Sequence, residues 1–166
     1  MPTTHPSGIH STSRRWAEAA GRGVLNARAG LHGGLCEIDG RRRGQSASHI
    51  VAAGRGGTWA PSNLLWTCGS GTTGCHGWLE HHPDEAAAGG WHIRRTTRVP
   101  GEIPVWLRIP YSPGGAWWLL DDDGLYVPAD LDQTPLLIDP AERPDLYVLD
   151  GQGGVRPARL PEGAAA

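Results

Sequence analysis

Residues 48–82, SHIVAAGRGGTWAPSNLLWTCGSGTTGCHGWLEHH, gather His49, Asn63 and His76 along one short segment with glycine-rich turns between them. Such residue types suit hydrolytic chemistry. An imidazole titrates near neutral pH, so His49 can take a proton from water, although a single histidine after a strand can equally be structural. His76 offers an imidazole donor to a divalent metal ion. Glu80 lies four residues further along a presumed helix and therefore on the same face, where its carboxylate would favour hard ions such as Mg2+ or Mn2+ over Ni2+ or Zn2+. His81 and His82 fall about 140° and 240° round that helix from His76. They suit the same site less well, and His82 is instead a candidate for contacting a phosphate. Asn63 follows Pro61-Ser62, which is turn chemistry in any protein. A strand, a loop, a strand and a helix in so few residues bury little core, and a bound metal ion is a usual remedy for so small a unit.

At these residues the chain resembles the HNH endonuclease family. The matching pieces are Ser48-His49-Ile50, Gly56-Gly57, Ser62-Asn63-Leu64 and Cys75-His76, and they recur in the family's order. The resemblance is nearest to phage and actinobacterial forms with a GSGTTGCHGW run, here residues 69–78, and it covers roughly residues 35–95. It implies an α+β fold with a small ββα-metal core, a divalent metal cofactor, and hydrolysis of DNA to 5′-phosphate and 3′-hydroxyl ends. It makes His49 the general base, Asn63 a brace for the loop that orients it, and His76 and position 80 metal ligands. Arg55, in the loop beside the base, becomes the candidate for the scissile phosphate. The position before the base is usually a ligand in the family, and here it is Ser48, a weak one. Relatives also carry a structural zinc on two CxxC-like pairs. Here Cys36 has Asp39 at its partner position and six residues separate Cys68 from Cys75, so the cysteine set is incomplete and buried unligated thiols are expected. These departures motivate a rival reading, a catalytically impaired nucleic-acid-binding or packaging accessory module. Phage or mobile-element origin, a host-cell cytoplasmic location, and DNA and phage packaging proteins as partners follow from the resemblance.

The formal charge of −2 hides an asymmetry. Residues 1–35 carry four Arg against one Glu, and residues 36–98 carry seven Arg against five acids, whereas residues 99–166 carry four Arg against eleven acids. Only the first two segments offer phosphates a favourable field. Arg41, Arg42, Arg43, Arg94 and Arg95 are the candidate nucleic-acid contacts there. No apolar run approaches a membrane span, the first ten residues lack a signal pattern, and three cysteines argue against a disulfide framework.

Helices and strands divide the chain into four expected regions. Residues 1–13 are expected to be disordered. Residues 14–98 form the nuclease domain, beginning with one or two short helices over residues 14–29 weakened by Gly21 and Gly23. Within it, residues 83–89 read as a short helix with a glycine stop and residues 91–98 have strand chemistry. Residues 99–127 form a β-rich extension. Residues 128–166, rich in proline and acid, read as a poorly ordered and dispensable tail.

Overall fold

A computed structural model describes residues 9–150 and 154–161. The chain is mixed α+β, with helices packed on small antiparallel sheets. Helix α1 spans Ile9–Gly30. It runs unbroken through Gly21 and Gly23, and it already includes residues 9–13, which correct the disorder expected there; residues 1–8 lie outside the described residues. Gly21 is a site of close approach, because a Cβ there would stand 1.9 Å from the Trp59 carbonyl oxygen. The glycine that weakens the helix locally therefore lets the 53–61 loop pack against it.

Strands β1 (Ser46–His49) and β2 (Leu64–Thr67) pair antiparallel, with His49 opposite Leu64. A glycine-rich turn then leads to helix α2 (Gly74–His81), and Pro83 opens helix α3 (Pro83–Ala88). The stop at Pro83 and the end at Gly89 follow the sequence reading. Residues 91–98 do not form a strand. They make one isolated bridge, Ile93 to Val51, in which the Ile93 N–H reaches the Ile50 carbonyl at 2.6 Å.

A buried ion pair ties α1 to this unit. The Arg28 guanidinium binds Glu37 through two bonds of 2.8 and 3.0 Å and also donates to the Leu64 and Pro61 carbonyls at 2.6 and 3.2 Å. The Glu37 carboxylate further accepts from the Trp66 N–H at 2.7 Å and from the Tyr126 hydroxyl. With its donors and acceptors this well matched, the pair withstands burial.

Strands β3 (Val105–Ile109), β4 (Ser112–Leu120) and β5 (Tyr126–Pro128) form the expected extension as a three-stranded antiparallel sheet. The tail is ordered where it was expected to be loose. Strands β6 (Tyr147–Leu149) and β7 (Val155–Pro157) pair, and Leu146 and Tyr147 enter the same hydrophobic core as Leu79, Trp91 and Trp106. The Tyr147 hydroxyl donates towards the Ile138 carbonyl at 2.9 Å, and the Trp117 indole donates to the Val155 carbonyl at 2.7 Å. Few large side chains sufficed for this docking because each also placed its polar atom. Among the described residues, no helix is long and apolar enough to cross a membrane.

Candidate functional site

Two clusters of metal-type side chains flank the β1–β2 pair. The first is a pocket of about 250 Å³ lined by Ser48, His49, Trp59, His76, Glu80 and His92. Strand β1 ends on His49, and α2 presents His76 and Glu80 one turn apart. The His49 ring stands edge-on to Trp59 at 4.5 Å, and its Nε2 is buried with no hydrogen-bond partner among the described residues. Burial, helped by the nearby Arg22 guanidinium and by His76 and His92, holds the His49 pKa below its ordinary value. Burial does the same for His76. Both rings are thus neutral at physiological pH, as a base and a ligand must be.

Ser46 sets the form of His76. Its hydroxyl donates to the Gly69 carbonyl at 2.8 Å and lies 2.9 Å from His76 Nδ1. With the hydroxyl proton so used, His76 Nδ1–H donates to Ser46 and Nε2 keeps its lone pair. Asn63 is fully buried, and its amide closes the intervening loop. Oδ1 accepts from the Val51 N–H at 2.7 Å, while Nδ2 donates to the Val51 and Thr58 carbonyls at 3.1 and 2.9 Å. Every polar group of that side chain is occupied with backbone, which suits a brace and leaves nothing for a ligand.

The remaining sequence candidates divide. Ser48 lines the pocket but is buried, and Glu80 lines it with a side chain 44% exposed. Arg55 is exposed on a 3-10 turn, Ala53–Arg55, within the braced loop. Arg94 and Arg95 are exposed just beyond His92. Arg41, Arg42 and Arg43 are not brought to this pocket: Arg42 pairs with Asp39 at 3.3 Å and Arg41 lines a separate cavity. His82 is likewise drawn away from a phosphate-contacting place, because its ring stacks on Trp78 at 4.3 Å and its Nδ1–H donates to the Trp78 carbonyl at 2.9 Å. The sequence reading missed Ser46, Trp59, His92 and Arg22, whose guanidinium lies 4.6 Å over the Trp59 ring. None of these stands in the motif pieces, and only the fold gathers them.

The second cluster is buried. Cys36, Asp39, Cys68 and Cys75 place one ligand atom each within 4.8 Å of the others, and among the described residues no other group of three or more His, Cys, Asp or Glu gathers so closely. The cysteine set is therefore complete in a way the sequence reading did not expect: Asp39 itself is the fourth member. A tight turn does this. The Gly40 N–H bonds the Cys36 carbonyl at 2.9 Å, and Asp39 Oδ1 accepts from the Arg41 and Arg42 N–H groups at 2.9 and 3.1 Å. Its Oδ2 then faces the Cys68 and Cys75 sulfurs at 3.4 and 3.7 Å. Hydrogen bonds from the Cys36 and Cys75 thiols draw Cys68 down to about 2, while the same contact with Cys68 pushes Cys36 up to about 12. Only a cation lets all three sulfurs ionise together beside a carboxylate. Three thiolates and one carboxylate are a donor set for a closed tetrahedral zinc site, and the cluster can bind a metal ion. Comparison with known protein families, with curated proteins and with solved structures finds no match, so the reading of function rests on these two clusters.

Proposed function

We propose that the chain is a metal-dependent endonuclease of the HNH type that hydrolyses DNA phosphodiester bonds. One observation carries this reading: a single pocket joins His49 from β1 to His76 and Glu80 from α2, while Asn63 is wholly occupied in bracing the loop between them. That order of strand, braced loop, strand and helix supports a ββα-metal core. His76 and Glu80 are the residues that would hold the ion, and Ser46 supports them by leaving His76 Nε2 unprotonated. A divalent ion bound there supplies charge neutralisation at the phosphate and at the departing 3′-oxygen.

His49 takes the proton from the attacking water. Its lowered pKa keeps it neutral at physiological pH, and the edge of Trp59 holds the ring in place. Arg55 on the braced loop and Arg22 over Trp59 are the cations nearest to this work, and each is suited to a phosphate oxygen. DNA is the partner this implies.

A plasmid-nicking assay across Mg2+, Mn2+, Ni2+ and Zn2+ tests the reading. Cleavage is expected with at least one ion, and His49→Ala is expected to lower it by about 10²- to 10⁴-fold while leaving the fold intact. Equal cleavage by His49→Ala would remove the mechanism. DNA binding without cleavage under any ion would favour the impaired accessory module, for which Ser48 is the motivating departure.

A further inference from the structure

Position 48 offers the pocket only a buried serine, so a ligand of the expected strength is wanting on the β1 side. The fold brings another histidine to that gap. His92 lies past α3, where the chain turns back through Gly89-Gly90, and the bridge between Ile93 and Val51 fixes its backbone beside the end of β1. Gly90 adopts φ +71°, and a Cβ there would stand 2.2 Å from the Pro104 carbonyl oxygen, so this return path requires glycine.

His92 is only 6% exposed and lines the same pocket as His76 and Glu80. Its Nδ1 lies 3.2 Å from the His49 carbonyl oxygen. A carbonyl can only accept, so Nδ1 carries the proton and Nε2 of the neutral ring keeps a lone pair. That Nε2 lies 3.9 Å from Glu80 Oε2. The arrangement repeats the one at His76, where Ser46 occupies Nδ1 and Nε2 is left free. A histidine whose far nitrogen is fixed by a backbone carbonyl is the usual form of a metal-ligating histidine.

We infer that His92 is a third protein ligand of the divalent ion, joining His76 and Glu80 through Nε2 in the place that Ser48 cannot fill. The inference rests on the proposed metal-dependent reading and adds a residue to it. Glu80, on the exposed side, is the ligand free to swing, whereas His92 is held by its backbone and by His49. The same bond couples the two jobs, since the group that positions the ligand is the carbonyl of the base.

The test uses full-length protein first given one equivalent of Zn2+ to occupy the cysteines, then titrated with Ni2+ by calorimetry and, separately, loaded with Cu2+ for electron spin echo measurement of bound imidazoles. His92→Asn is the informative variant, because its side-chain amide can still donate to the His49 carbonyl while offering no nitrogen at the Nε2 position. The expected result is a loss of Ni2+ affinity of about 10- to 100-fold, a fall from two coordinated imidazoles to one, and an unchanged melting temperature. Unchanged affinity and imidazole count in His92→Asn, with both lost in His76→Ala, would overturn the role of His92 and leave the nuclease reading standing. Failure of the native chain to bind a second ion at all would overturn both.

Discussion

The cysteine cluster and the histidine pocket sit on either side of one β-pair and differ in almost every physical respect. The first is closed: four ligand atoms within 4.8 Å, all on buried residues, with Asp39 Oδ1 tied to two backbone N–H groups. The second is open: a pocket of about 250 Å³, a half-exposed glutamate, and two histidines whose Nδ1 atoms are engaged and whose Nε2 atoms are not. A closed tetrahedral set stabilises a fold, whereas an open set keeps positions for water and substrate. Placing both around one four-residue pair lets the first hold rigid what the second must aim.

The largest expected effect separates the two by stability. Cys68→Ala should cost about 4 kcal/mol or more, since metal binding at a closed site is folding free energy, and lower Tm by on the order of 10 °C. His76→Ala should shift Tm little. Calorimetric melting of both variants checks this, and a similar Tm loss in the two would erase the distinction.

A comparable but metal-independent loss is expected at the strut between α1 and the pair. Arg28→Ala leaves Glu37 buried without its cation and should cost about 3–5 kcal/mol, measured by urea denaturation with metal saturating. If the loss vanishes when zinc is removed, the ion pair and the cysteine cluster act as one unit.

The tail gives a smaller effect of the opposite kind to that expected from its sequence. Deleting residues 128–166 removes Leu146, Tyr147 and the Pro161 carbonyl that the Cys75 thiol reaches at 3.8 Å, so stability should fall with cleavage retained only below the new melting point. A truncated chain with native Tm would contradict the docking.

The smallest effect is a pH dependence confined to the histidine pocket. His49 and His76 have folded pKa values below the unfolded value near 6.5. Between the two values the unfolded chain binds protons that the native chain does not, so stability rises with pH across that window and is complete above it. As pH falls through the lowered His49 value, the base is protonated and cleavage should decline. A rate profile whose acid limb lies above pH 6.5 would show that another group titrates.

Much of the histidine pocket was legible because its parts are local. His49 ends a strand, His76 and Glu80 share a helix face, and Asn63 follows a Pro-Ser turn, all signals readable within ten residues. Asp39 was visible at the partner position of Cys36, but a carboxylate in a cysteine's place read as a loss, and only the turn at Gly40 shows it aimed at the sulfurs. His92, Ser46 and Arg22 were illegible for a different reason. Each reaches the site through a pairing between distant segments, as Ile93 does with Val51, and no local pattern encodes that. The unbroken α1 was misjudged because helix propensity penalises Gly21, whereas packing against Trp59 requires it.

Metal add-back to a single preparation tests the division of labour most directly. The chain is stripped by chelator, given one equivalent of Zn2+, and assayed for melting and plasmid nicking before and after Mn2+ or Mg2+ is supplied. The expected result is recovery of Tm on zinc alone, with nicking absent until the second ion arrives and absent throughout in His49→Ala. Full nicking on zinc alone by a His76→Ala protein would place the chemistry outside the histidine pocket and contradict the account.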